Sequence, residues 1–189
     1  MGDLMTNPNL LSDWQSFYMI VGSSAGALIG LQFVVITLIS EERHRTTAGT
    51  LSAFGTPTVV HFAAALVISA IMAAPWSSRV PLGVTLGVCG LGGLIYSAVV
   101  VHRARKQKGY TPVAQDWIWY AVLPFISYGT LTAAANVLPN NTGSALFMTA
   151  GVALALLLIG IHNSWDTVTH MVVTGPDSVV KKAKRRAST

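Results

Sequence analysis

Five long apolar segments alternate with short polar segments along this chain of 189 residues. We place the apolar segments at residues 13–40, 57–74, 81–102, 117–138 and 144–174. Each has a length with which a helix can cross the hydrocarbon core of a bilayer, which takes roughly 17–25 residues. The pattern predicts an all-α membrane protein. It is expected to be a bundle of five transmembrane helices in one domain over residues 1–180, followed by a short tail at 181–189.

The composition supports this class. Hydrophobic residues make up 52% of the chain and charged residues 10%, and the mean hydropathy is +0.55, which excludes a soluble domain with an ordinary polar surface. The one cysteine, Cys89, lies in an apolar segment. It excludes an intrachain disulfide and a cysteine-based metal cluster, so His, Asp, Glu and Asn remain as candidate ligands. The first eleven residues contain no Lys or Arg, so we expect no cleaved signal peptide.

The basic residues are distributed unevenly between the two predicted sides of the membrane. The loops after the first and third segments and the tail contain 11 Lys and Arg, whereas the opposite side contains 1, Arg79. The positive-inside rule therefore predicts an external N-terminus and a cytoplasmic C-terminus. We expect the tail cluster to bind anionic lipid headgroups rather than nucleic acid. This cluster comprises Lys181, Lys182, Lys184, Arg185 and Arg186.

Glycines recur at a spacing of four residues in two of the segments. Gly22, Gly26 and Gly30 follow one another in the first segment, and Gly83 and Gly87 lie in the third. Glycines at this spacing leave one side of a helix nearly bare, so that another helix can approach closely. We predict that these positions pack helices together and that the protein forms a homo-oligomer.

The candidate chemistry lies in the last segment, where His162, Asp166 and His170 are spaced by four residues. At about 100° per residue, the three side chains share one side of a helix over about 12 Å of its axis. Ionisable groups are costly beside lipid, and they mark a functional site by default. The predicted topology places His61 at the same depth as His162. We therefore predict one polar layer near the cytoplasmic face. Its members are Gln32, His61, Asp116, His162, Asn163, Asp166 and His170.

Three functions fit such a layer. The first interpretation is a protein that passes or senses a proton or small ion, because titratable groups at one-turn intervals suit a relay. The alternative is a metal-dependent membrane hydrolase, in which His61, His162 and Asp166 bind a divalent metal that activates water. The second alternative is a non-catalytic membrane subunit that binds a partner through its glycine-rich helix faces.

Four short runs resemble a family of small bacterial integral membrane proteins with no assigned activity. The runs are GSSAGAL at 22–28, TPTVVHF at 56–62, DWIWY at 116–120 and GIHNSWD at 160–166. The resemblance implies a multi-pass protein of the bacterial inner membrane. It implies no catalytic or binding residue, so the three interpretations stay open.

Overall fold

The computed structural model describes residues 11–42, 48–106 and 114–173, and the regular elements in these ranges are all helices. Five long helices follow a 3₁₀ turn at Ser12–Trp14. They are α1 (Gln15–Glu42), α2 (Ala48–Ala73), α3 (Arg79–Lys106), α4 and α5 (Thr142–Val173). Helix α4 joins three consecutive elements, Ala114–Trp117, the π-helical segment Ile118–Val122 and Leu123–Val137. The predicted all-α class is confirmed for the part of the chain that the structure describes.

The largest difference from the predicted segments is the start of α2. The sequence predicts that this helix begins at Pro57, where a proline is tolerated best. The helix begins instead at Ala48, so Pro57 lies in its interior and residues 48–55 are helical rather than loop. A proline removes one helical hydrogen bond, but membrane helices tolerate it because neighbouring helices and side chains satisfy the freed backbone group.

Helix α4 contains a π-helical segment that ends at Val122, with Leu123 between it and Pro124. The sequence predicts a kink at this proline, because it has no N–H for the carbonyl group four residues earlier, that of Tyr120. In the structure the backbone N–H of Leu123 bonds instead to the carbonyl oxygen of Ile118, five residues back. The wide π turn thus accommodates the missing donor.

Successive helices run in opposite directions. Trp14, which directly precedes α1, packs against Phe147 in the first turns of α5, with ring centroids 4.7 Å apart. Further along the same two helices, Gln32 contacts Ser164, so α1 and α5 are parallel. Helix α2 packs against α1 in the opposite direction, since Gly22 meets its C-terminal part. We call the end where α1 begins the N-terminal end of the bundle, and the end where α5 finishes the C-terminal end.

Within the described ranges, four helices are long and apolar enough to cross a membrane. Their apolar spans are Ser12–Thr37, Arg79–Arg103, Ile118–Val137 and Thr142–Thr169, and the described apolar part of α2, Thr58–Ala73, is shorter. Helix α5 packs against α1, α2 and α4, and half of its span is buried within the chain. Large apolar side chains on the outer helix faces stay exposed, as they do where lipid is the solvent. These helices indicate a membrane protein with α5 near its centre.

The glycines predicted to pack helices differ in their surroundings. A Cβ added at Gly22 would lie 3.0 Å from the Cβ of a serine in α2, and one at Gly83 or Gly87 would lie 3.4–3.6 Å from atoms of Ala135 in α4. A Cβ at Gly26 would lie 4.0 Å from a leucine of α2, and one at Gly30 would meet nothing within 4 Å. Among these five glycines, an added Cβ would therefore be crowded only at Gly22, and at Gly83 and Gly87 it would make an ordinary contact.

Candidate functional site

A polar contact connects α1 and α5 towards the C-terminal end of the bundle. The hydroxyl group of Ser164 donates a hydrogen bond to Oε1 of Gln32, and the Gln32 side chain is 4% exposed. An amide without a partner in an apolar interior costs several kcal/mol, roughly 2–7. Ser164 thus satisfies part of the polar group that Gln32 brings into the bundle.

This contact lies near one boundary of the hydrocarbon. Gln32 lies about 27 Å along the helix axis from Trp14, and Ser164 lies about 33 Å from Thr142, at 1.5 Å per residue. The hydrocarbon core of a bilayer is about 30 Å thick. If the N-terminal end of the bundle stands at one membrane surface, the contact between Gln32 and Ser164 therefore stands at the other.

Asn163, the residue before Ser164, has a polar side chain that is completely buried. Its exposed fraction is 0%, and neither its Nδ2 nor its Oδ1 has a hydrogen-bond partner among the described residues. Its backbone carbonyl group accepts a hydrogen bond of 2.7 Å from the hydroxyl group of Thr167, so only the side-chain amide is unsatisfied. Buried polar groups without a partner are rare in native structures, and each one indicates strain, a function or an unseen water or ion.

A second polar contact connects α2 and α4. The Nδ1 of His61 lies 3.2 Å from the hydroxyl oxygen of Tyr128, and these side chains are 2% and 3% exposed. Tyr128 reaches this position because Gly93 of α3 has no side chain where the tyrosine ring lies. The sequence of α3 therefore positions the partner of a histidine in α2.

His162 and Asp166 lie on the periphery of α5 rather than in its buried face. The His162 ring is half-buried and stacks on Trp119 of α4, with ring centroids 3.8 Å apart and an angle of 16° between the planes. Asp166 is exposed, and its backbone carbonyl group accepts a hydrogen bond from Thr169. Successive residues of a helix point about 100° apart, so Asn163 is directed inwards where His162 is not.

The described residues contain no group of three or more His, Cys, Asp and Glu side chains that could hold a metal ion. His61 contacts Tyr128, whereas His162 stacks on Trp119, so the structure does not unite His61, His162 and Asp166 in one site. The side chains of Asp116 and His170 lie outside those that the structure describes. The basic cluster at 181–186 also lies outside the described residues.

In the two hydrogen-bonded contacts between helices, the sequence did not predict the partners Tyr128 and Ser164. Tyr128 lies near the middle of the predicted segment 117–138, and a phenol at that depth is itself a polar group that needs a partner. The depth of Tyr128 in the segment is therefore the sequence signal that could have identified it. Ser164 gives no comparable signal, because a serine in a membrane helix can bond to the carbonyl group of its own preceding turn.

An apolar groove of about 320 Å³ lies between α2 and α3. Its walls include Val60, Ala64 and Val67 of α2 and Cys89 and Gly92 of α3, and Tyr128 of α4 also lines it. These two helices are successive in the chain but pack mainly against other partners, α2 against α1 and α5, and α3 against α4. Tyr128, which contacts His61, therefore also forms part of the wall of this apolar groove.

The fold and these contacts define a helical membrane protein with polar groups buried near one end of its bundle. Comparisons with known proteins add no further assignment. No family model matches the sequence, no curated protein matches it, and no solved structure matches it. The function is therefore inferred from the side chains described above.

Proposed function

We propose that this protein passes or senses a proton or small ion through the buried polar groups that lie between the middle and the C-terminal end of its bundle. The observation that carries the proposal is the contact between His61 and Tyr128, 3.2 Å long and almost completely buried. Histidine has a ring nitrogen that can accept and release a proton. An ionisable group inside a membrane bundle, paired with another side chain, is typical of proton and ion pathways.

The wider setting of this proposal is a five-span protein of the bacterial inner membrane. The distribution of Lys and Arg supports a cytoplasmic C-terminal end, where Arg105 lies 5.7 Å from the ring centre of Trp117. The resemblance of the four runs supports the bacterial setting. Binding of anionic lipid by the basic tail is part of the proposal. A homo-oligomer is also part of it, because Ser23, Ala27 and Gly30 form an exposed run of small residues on α1.

Proton flux into liposomes tests the proposal. We expect His61→Leu and Tyr128→Phe each to lower the flux of the wild type about tenfold, the equivalent of one lost hydrogen bond of about 1.4 kcal/mol. The double variant should lose no more than either single variant, because residues that act as a unit are not additive. Tyr128→Phe is the sharper change, since it removes only the hydroxyl group.

The matched control is His102→Leu, which removes an exposed histidine at the end of α3 and should leave the flux unchanged. Full flux in both single variants would overturn the proposed pathway. A wild-type protein with neither flux nor a pH-dependent change in tryptophan fluorescence would overturn both conduction and sensing.

A further inference from the structure

We propose that Asn163 holds a buried water molecule that connects the contact between Gln32 and Ser164 to the contact between His61 and Tyr128. The species that these buried groups transfer or sense is then a proton rather than a dehydrated cation. This inference rests on the proposed function and names its substrate.

The unsatisfied amide of Asn163 is the first step. A side-chain amide has two N–H donors and an acceptor oxygen, and here both atoms are buried without a partner among the described residues. Because the residue is 0% exposed, neither a lipid headgroup nor a second copy of the chain reaches it from outside. A water or an ion inside the bundle is small enough to be the partner of this amide.

Several helices carry polar residues at the depth of Asn163. One turn earlier in α5, the ring of Phe62 fills the space beside Gly160, so the antiparallel α2 places the turn before Phe62 level with Asn163. That turn contains Thr58 and His61, both buried. The residue after Asn163 contacts Gln32 of α1. Polar residues of α1, α2 and α5 therefore lie at the same depth in the bundle as the Asn163 amide.

The chemistry of these groups favours water over a cation. The buried polar side chains of the described residues include no acidic one, so none of these buried groups would balance the charge of an ion. A cation would also bond only to Oδ1 and leave Nδ2 unsatisfied. A water molecule accepts from Nδ2 and donates to Oδ1, and internal waters typically make two to four such bonds.

A water at this position connects two polar contacts that the side chains alone leave separate. An amide does not release its protons at physiological pH, whereas a water can accept a proton on one side while it releases another to the next acceptor. The composition of the site is unchanged after each transfer. His61 is the titratable member that takes up or releases the proton.

The first experiment detects the water directly in the wild-type protein. Solid-state NMR of protein with ¹⁵N-labelled asparagine in bilayers should show a water contact at the side-chain amide of Asn163. The exposed Asn136, whose Nδ2 donates to the carbonyl oxygen of Thr132 at 2.7 Å, provides the reference signal for bulk water. Absence of any water contact at Asn163 would overturn the inference, whatever the flux.

The second experiment compares flux among variants. Asn163→Leu should lower the proton flux about tenfold, the effect of one lost hydrogen bond, and Asn163→Ser, which leaves a polar group and room for water, should retain most of it. Asn136→Leu is the matched control and should leave the flux unchanged. Sodium or potassium flux that persists in the Asn163→Ser variant and exceeds proton flux would overturn the proton assignment.

The two proposals fail in different ways. Water at Asn163 in a protein without flux or pH response would leave the hydration site standing and remove the proposed function. Proton flux that depends on His61 but not on Asn163, with a dry amide, would leave the function standing and remove the water.

Discussion

Two glycine-rich interfaces of this protein differ in how closely their helices approach. Between α3 and α4, a Cβ added at Gly90 would lie 2.8 Å from the backbone nitrogen of Thr132, so the two helices would have to separate. On α1, a Cβ at Gly26 would lie 4.0 Å from Leu66, and one at Gly30 would meet nothing within 4 Å. A similar glycine spacing thus serves a close interface on one helix and leaves an open face on the other.

The difference arises from the partner helix. Helix α4 places the small side chain of Ala135 opposite Gly87 and its own backbone opposite Gly90, whereas α2 approaches α1 most closely at Gly22, beside Ser69. A bare helix face permits close packing. The residues that the neighbouring helix presents determine where that packing occurs.

The largest effect is expected at the close interface. Gly90→Ala should lower the free energy of unfolding by about 3 kcal/mol, because backbone atoms of α4 cannot move aside without separating the helices. Thermal unfolding in detergent measures the change. Gly87→Ala, one turn away, is the matched control, because its Cβ would meet Ala135 at an ordinary 3.6 Å. Equal losses in the two variants would contradict the close packing at Gly90.

An intermediate effect is expected at the one close point of α1. Gly22→Ala should cost about 1 kcal/mol of unfolding free energy, because the new Cβ would lie 3.0 Å from the Cβ of Ser69 and a neighbouring side chain would have to shift. Ser69→Gly removes that atom and should restore part of the loss, whereas Ser69→Ala should not. Identical behaviour of the two second-site variants would show that the contact is not the cause.

The smallest effect is expected on the open face. Gly30→Ala should raise the stability of the isolated chain by about 0.5–1 kcal/mol, because alanine is the better helix former and no atom lies in its way. Gly30→Leu tests whether this face packs against a second copy. A shift towards monomer in native-gel or light-scattering measurements would support the proposed oligomer, and an unchanged assembly would exclude α1 from its interface.

Most of the fold follows from the sequence because the physical signal is strong. Apolar runs of membrane-spanning length can be recognised without any knowledge of how the helices pack. The predicted starts of α3 and α5 lie within two residues of those in the structure. The predicted start of α2 was wrong because Pro57 is a typical first residue of a helix, whereas in the structure this proline lies inside a helix that begins at Ala48. The π-helical segment of α4 was not predicted, although the sequence predicts a kink at the nearby Pro124.

The candidate site was harder to predict for a reason specific to membrane helices. A helix of a soluble protein reveals its buried face by its apolar stripe, but the lipid-facing and buried faces of α5 are both apolar. The sequence therefore shows that His162, Asn163 and Asp166 are unusual without showing which of them points inwards. Partners on other helices, such as Tyr128 for His61, depend on the packing itself.

The π-helical segment of α4 also determines what the loss or gain of a single residue does to the packing of this helix. A π turn contains about one residue more than an α turn, so it shifts the phase of the preceding residues by about 100° relative to an uninterrupted helix. Trp117, which lies before the segment, faces Arg105 of α3 in this shifted phase. Deletion of the single codon for Ala121 would restore a regular helical phase and turn Trp117 away from α3. An insertion or deletion of one residue here therefore changes which helix the aromatic group contacts, without altering any other amino acid.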